Sequence, residues 1–227
     1  MELTVDERRV VGTLIEKGYT TPEQYPLTMN ALTVGSNQKS CRDPISQLDQ
    51  ERIFLALDGL RKKGLCTLVQ TQGSRTDRWK HRFADALGLD DTEVAVLGEL
   101  LLRGPQTDGE LRQHASRMVM IDSPEGLAAI LKKLMAHDPT LAVRLTPEGR
   151  KRGVRYAHGL YSKDELENLR SEEASAATLG EAPGRNAEAG GATQVSSLRE
   201  DLEALRAQVA LLEARLRKIE EALGEAG

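Results

Sequence analysis

The two halves of this chain repeat one order of sequence patterns before about residue 163. The segment Gly12–Gly18 aligns with Gly98–Gly104, and Trp79–Phe83 aligns with Tyr156–Leu160. In each half a helical pattern is followed by a glycine, a short helix, a longer helix and a strand-rich stretch. Self-similarity of this kind indicates two copies of one small domain. The chain is therefore expected to adopt a tandem fold.

The first copy shows its pattern most clearly from Asp49 to Phe83. Asp49 is a predicted N-cap, because its carboxylate can accept hydrogen bonds from the first helical turn. Apolar residues then recur at helical spacing: Ile53, Phe54, Leu57 and Leu60. Gly64 is the predicted stop, and two strands, Leu65–Gln70 and Arg78–Phe83, follow. A helix that enters a β-hairpin after two earlier helices is the order of a winged helix-turn-helix domain.

The two earlier helices of the first copy are separated by a proline-containing connector. Thr4 is the predicted cap of the first helix, and Gly18 is its predicted end. The second helix is predicted from Leu27 to about Ser36, with Val34 among its apolar positions.

The second copy has the same signals at its helix starts. Asp90 or Asp91, Thr107 and Ser123 are the predicted caps of its three helices. Its ribbon is predicted at Leu141–Leu145 and Val154–Leu160.

The composition changes after the second copy. Residues 171–194 are rich in Ala, Gly, Ser and Glu, which is typical of a flexible linker. Apolar residues then alternate at spacings of three and four, the heptad pattern of a coiled coil: Val195, Leu198, Leu202, Leu205, Val209, Leu212, Leu216, Ile219 and Leu223. In a parallel pair Asp201 would face Arg206 of the other helix, so we expect a homodimer. The alternative is that this helix packs back on its own chain.

These patterns predict an α+β, mainly helical fold in four parts. Residues 1–86 and 87–170 are two tandem winged helix-turn-helix domains. Residues 171–194 are a flexible linker, and residues 195–225 are a C-terminal coiled-coil helix. Since only 3% of the residues are aromatic, the cores must be aliphatic.

Several classes of function are disfavoured by the sequence. The net charge is −4, and no segment is strongly basic, which weakens a nucleic-acid interpretation. No phosphate-binding loop, nucleophile elbow or metal-ligand spacing occurs, so we expect no catalytic residues, no metal and no cofactor.

His81 and His158 occupy equivalent positions and are interpreted as structural rings of each repeat. We expect a cytoplasmic location. The chain has only two cysteines, and its sequence shows neither a signal-peptide pattern nor an apolar run long enough to span a membrane.

Two kinds of basic or polar segment are candidate nucleic-acid contacts. The loop before the third helix offers donors for phosphates or base edges: Asn37, Gln38, Lys39, Ser40 and Arg42. The ribbons carry further cations that could follow a phosphate backbone: Arg75, Arg78, Lys80 and Arg82 in the first copy, and Arg150, Lys151, Arg152 and Arg155 in the second. Solvated hairpin tips are the alternative interpretation of the ribbon charges.

Several separated motifs in residues 1–162 resemble the YceH family of bacterial proteins: Tyr25–Leu32, Asn37–Ser40, Arg42–Pro44, Leu101–Thr107, Gly109–Arg112 and Arg155–His158. The resemblance implies a tandem winged-helix fold and no established activity. Members of that family usually have asparagine where this chain has Cys41.

Two functions remain open from the sequence. One is a non-enzymatic, nucleic-acid-associated or regulatory protein that binds DNA through the polar loop and the ribbons. The other is a protein-interaction adaptor, similar to the tandem winged-helix subunits of bacterial chromosome-segregation complexes. The adaptor is favoured by Asp49 and Glu51 at the start of the third helix, because carboxylates there would repel DNA phosphates.

Overall fold

A computed structural model of the protein describes residues 1–70, 76–149 and 153–179. The fold is α+β and mainly helical, with two small antiparallel sheets. The first half contains α1 (Val5–Thr20), a 3-10 turn (Pro22–Gln24), β1 (Leu27–Thr28), α2 (Met29–Ser36), α3 (Gln50–Lys62), β2 (Cys66–Val69), β3 (Arg78–His81) and α4 (Phe83–Leu87). The second half contains α5 (Asp91–Arg103), β4 (Gln106–Thr107), α6 (Asp108–Ala115), α7 (Pro124–Ala136), β5 (Ala142–Arg144), β6 (Arg155–His158) and α8 (Lys163–Leu179).

The two sheets have the same strand order. The first is ordered β1-β3-β2 and the second β4-β6-β5, and every pairing is antiparallel. Trp79 in the central strand β3 lies opposite Leu27 and Leu68. Tyr156 in β6 lies opposite Gln106 and Arg144. The two aromatic residues that align in the sequence therefore occupy equivalent places in the two sheets.

Local hydrogen bonds fix where the helices begin. Thr4, Asp90 and Thr107 each form a capping box with a glutamate three residues later. Asp49 and Ser123 cap α3 and α7 through a side-chain oxygen. Each cap satisfies a backbone N–H that the helix itself cannot, and these starts agree with the sequence predictions.

The first helices of the two halves, α1 and α5, pack against each other through their glycines. A Cβ atom added at Gly98 would lie 2.5 Å from Ile15 Cγ2, and one added at Gly12 would lie 2.9 Å from Leu102 Cγ. Both helices are buried along most of their length, and residues Met1–Leu179 form one compact unit. The α1–α5 contact thus joins the two halves.

Some predicted boundaries were wrong. The helix α1 continues past Gly18 to Thr20, and Leu27 lies in a short strand rather than in α2. Phe83 begins the helix α4 instead of ending a strand. The side chains of Phe54 and Val34, which were assigned to the apolar positions of their helices, are 54% and 64% exposed. Helical spacing identifies a face, whereas tertiary packing decides how wide its buried part is.

The helix α8 extends to Leu179, into the segment predicted as a flexible linker from residue 171. Glu173 of this helix is buried and accepts hydrogen bonds from Thr146 and Arg155, so the helix is anchored to the second sheet at this residue, inside the predicted linker. The heptad segment, residues 195–225, lies outside the described residues. Within the described ranges, no helix has both the length and the apolar character needed to cross a membrane.

Candidate functional site

The polar loop between α2 and α3 is held in place by its own first residue. The Asn37 side chain donates to the Leu48 carbonyl and accepts from the Leu48 N–H, both at 2.7 Å. Gln38 accepts from Arg42 at 3.1 Å. Of the predicted contact residues in this loop, Lys39 and Ser40 are exposed, whereas Asn37 and Gln38 are half-buried.

Arg42 lies inside the protein rather than on the loop surface. Its side chain has no exposed area and forms an ion pair with Glu16. It also donates to the carbonyls of Gly35 and Cys41, at 2.8 Å each. The preceding residue, Cys41, has a φ of 58°. With these bonds in place, the Arg42 guanidinium is not presented to a nucleic acid.

Arg42 belongs to a buried ion-pair network beside the α1–α5 contact. Arg117 bridges Glu16 of α1 and Glu99 of α5, and Arg103 lies 2.8 Å from Glu99. Burial alone would raise the pKa of Glu16. The hydrogen bonds and charges of Arg42 and Arg117 outweigh that effect, so the pKa lies below its ordinary value. The network connects the two halves by charge as well as by packing.

Two glutamates in apolar helical surroundings are the signal for this network in the sequence. Glu99 lies in the middle of the leucine-rich helix α5, and Glu16 follows the apolar stripe of α1. A carboxylate within a fully apolar helical face requires a buried partner. The identity of that partner was not predictable, because Arg117 is distant from Glu16 in the sequence.

The described ribbon arginines are partly engaged with the protein itself. Arg78 donates to the Pro26 carbonyl at 2.9 Å, and Arg155 donates to the Pro105 carbonyl at 3.0 Å. Both bonds fasten the central strand to the residue before the short edge strand of its sheet, so these two arginines have matching structural roles.

The other ribbon cations are differently placed. Lys80 is exposed, and Arg82 is exposed with Asp85 at 3.8 Å. The remaining predicted ribbon contacts lie outside the described residues: Arg75, Arg150, Lys151 and Arg152.

The outer face of α3 is apolar at its centre. Phe54 and Leu55 are 54% and 62% exposed. In α7, where Leu127 takes the place of the buried Ile53, the next two residues are the exposed Ala128 and Ala129. Neither helix presents a hydrogen-bonding side chain at these two central positions.

The acidic start of α3 adjoins this apolar face. Asp49 and Glu51 are exposed and form no ion pair with any described residue. Across all the residues that the structure describes, no cluster of three or more metal-ligating side chains occurs.

His81 and His158 occupy equivalent strand ends but have different environments. The Nδ1 atom of His158 accepts from the Leu160 N–H at 3.2 Å, and its ring stacks on Tyr161 with centroids 3.7 Å apart. The Nδ1 atom of His81 is buried without a partner among the described residues. Burial lowers the pKa of His81 to about 4 and that of His158 to about 3, so both rings are neutral at pH 7.

Residues 3–153 match the family model described as "Protein of unknown function, DUF480". The chain belongs to this family. DUF480 relatives include a UPF0502 protein of Pelobacter propionicus, 40% identical over 215 residues that cover 93% of this chain and 94% of the relative. A UPF0502 protein of Shewanella sp. strain MR-7 is 39% identical over 227 residues, 98% of this chain and 96% of the relative. YceH is the family name in this group, so the resemblance seen in the sequence motifs is confirmed.

Proposed function

We propose that this DUF480 protein is a non-enzymatic tandem winged-helix adaptor that binds another protein through the outer face of α3. The repeated element order supports the winged-helix assignment. Each half has one helix, a short edge strand, two further helices and a two-stranded ribbon. The strand order is also the same in both sheets.

The exposed pair Phe54 and Leu55 is the observation that supports protein binding over DNA reading. A helix that reads the major groove needs side chains that hydrogen-bond to base edges. The central positions of α3 instead present a phenylalanine and a leucine that are more than half exposed. Contiguous exposed apolar surface marks protein-binding sites, and these two neighbouring side chains are the candidates for such a surface on α3.

The charges around this pair define the chemistry of the partner. Asp49 and Glu51 flank the apolar pair at the N-terminal end of α3 and have no ion-pair partner in the described residues. Complementary charge favours a partner whose apolar side chains are accompanied by lysine or arginine. The proposed ligand is therefore a protein segment with an apolar core and a basic flank.

Photo-cross-linking in cells tests this proposal. A benzophenone amino acid replaces Phe54 in the full-length chain, and a control chain carries it at Glu167, an exposed position of α8. We expect a nuclease-resistant cross-link from position 54 to a protein segment of the stated chemistry, and no such product from position 167. Cross-links to nucleic acid, or to residues 195–225 of the chain itself, would contradict the proposal.

Nucleic-acid binding is the second candidate function, and the exposed lysines favour it. Lys39 and Lys80 are exposed and form no ion pair with a described residue. They could each neutralise one phosphate. If they do, Lys39→Ala and Lys80→Ala would each weaken duplex binding and reduce the salt slope by about one. Lys132→Ala, at an exposed position of α7, is the matched control, and fluorescence anisotropy over a salt series is the measurement.

A further inference from the structure

A cavity of about 320 Å³ lies where the two halves meet. Its walls include Arg8 and Arg9 of α1, Arg103 at the end of α5, and His158 and Tyr161 after β6. The volume is within the range of small-molecule sites in proteins. The predicted nucleic-acid contacts and the α3 face do not line it.

Two hydrogen-bond donors in this cavity have no protein partner in the described structure. His158 is 1% exposed, and its Nδ1 atom is occupied by the Leu160 N–H. The proton of the neutral ring is therefore on Nε2, which is left to donate elsewhere. The stacked Tyr161 contributes a hydroxyl for which no hydrogen bond is formed with a described residue.

Arg9 supplies a buried positive charge. The residue is 5% exposed, and among the described residues its guanidinium donates only to backbone carbonyls, those of Leu102 at 3.1 Å and of Pro44. No described carboxylate lies within ion-pair distance of it. Burial, and then the charge of Arg42, lower the pKa of Arg9 to about 10, although the charges of Asp43 and Glu16 raise it in part, so it remains charged at pH 7. A buried cation that has no carboxylate in direct contact can pair with an anionic ligand.

The other charges at the cavity limit that ligand to a single negative charge. Arg8 is already paired with Glu165 at 2.6 Å and covers the Tyr161 ring at 4.6 Å. Arg103 is paired with Glu99. Asp43 also lines the cavity, but it is exposed to solvent, which screens its charge more than that of Arg9.

From these contacts we infer that the cavity binds a small organic monocarboxylate. The carboxylate would pair with Arg9 and accept from His158 Nε2 and the Tyr161 hydroxyl. The body of the ligand would lie against the apolar wall formed by Val5 and Leu101. Such a ligand would contact both halves of the protein at once.

Titration calorimetry of the full-length protein with sodium benzoate tests this inference, at an ionic strength held constant with sodium chloride. We expect saturable binding with a dissociation constant of about 1 mM or tighter. We also expect the His158 ring-nitrogen resonances to shift with the same dissociation constant in NMR spectra. Weaker binding of inorganic phosphate is expected, because it carries more than one charge near pH 7.

Tyr161→Phe removes the hydroxyl and keeps the ring that stacks on His158. We expect it to weaken benzoate binding about tenfold, the effect of one hydrogen bond to a charged group. Tyr156 lies in β6 and does not line the cavity, so Tyr156→Phe should leave the affinity for benzoate unchanged. The inference would be overturned by the absence of saturable binding up to about ten times the expected constant. Equal affinities of the two variants, or tighter binding of phosphate than of benzoate, would also overturn it.

Discussion

Replacing Gly98 with alanine should destabilise the protein, although alanine is the better helix former. Gly98 lies in the middle of α5, where the new Cβ would be 2.5 Å from Ile15 Cγ2. An ordinary contact needs at least 3.4 Å. Ile15 is fully buried and β-branched, so its χ1 has little freedom to move the methyl group away. One of the two helices must therefore shift.

The expected loss is the difference between two effects. Overpacking in a well-packed core destabilises the folded state by up to about 3 kcal/mol. The higher helix propensity of alanine stabilises it by about 1 kcal/mol relative to glycine. The free energy of unfolding should fall by about 2 kcal/mol. In a chain of this length each kilocalorie shifts Tm by about 2–4 °C, so the drop should be about 4–8 °C.

Matched variants separate packing from propensity. Gly109→Ala in α6 meets no atom within 4 Å, so it should raise the stability by about 0.5–1 kcal/mol. Ile15→Leu conserves volume and removes the Cγ2 methyl. In that background Gly98→Ala should lose most of its cost, as a double-mutant cycle by urea unfolding would show. If Gly98→Ala raised Tm as Gly109→Ala does, the close α1–α5 contact would be refuted.

Three further perturbations test the buried charges and the backbone, and a fourth tests the predicted coiled-coil helix of residues 195–225. Glu16→Gln leaves its two arginine partners buried without a full countercharge, so we expect a loss of about 3 kcal/mol in urea unfolding; a change below about 1 kcal/mol would contradict the network. Cys41→Asn should gain about 0.5 kcal/mol, because asparagine tolerates a positive φ better than other side chains do; a lower urea midpoint would contradict this. Since the pKa of His158 is lowered from 6.5 to about 3 by burial and by a nearby arginine, only the unfolded state gains this proton between those values. His158 should therefore lower the stability as the pH drops below 6.5, by up to about 1.4 kcal/mol per pH unit. The lowered pKa of His81 adds a slope of its own in both chains, so His158→Gln should have a shallower slope, but not a flat one, in urea unfolding from pH 7 to 5. Truncation after Thr193 should reduce a sedimenting dimer to a monomer, and an unchanged mass would remove the predicted coiled-coil dimer.

The sequence predicted the features that depend on neighbouring residues. The caps at Thr4, Asp49, Thr107 and Ser123 involve side chains and N–H groups three residues apart, and so their chemistry is visible locally. The ribbon pairing followed from β-rich runs around a turn. The edge strands β1 and β4 were missed, because two residues do not form a periodic pattern.

Long-range contacts decided the features that the sequence could not predict. Arg42 looked like a surface cation until its partner Glu16, on another helix, was located. Phe54 fits the apolar spacing of α3 but lies outside the buried stripe. The second part of α8, from Ser171 onward, has the Ala, Glu and Ser composition of a linker. The contacts of Glu173 fix it to the second sheet.

The photo-cross-link from position 54, compared in cells between the chain with Leu55 intact and the Leu55→Lys chain, tests the proposed function most directly. We predict a protein cross-link in the first chain and its loss in the second, because an apolar interface cannot accommodate an unpaired ammonium group. A protein cross-link of equal yield in both chains, or a cross-link to nucleic acid in either, would contradict binding of a protein at the α3 face.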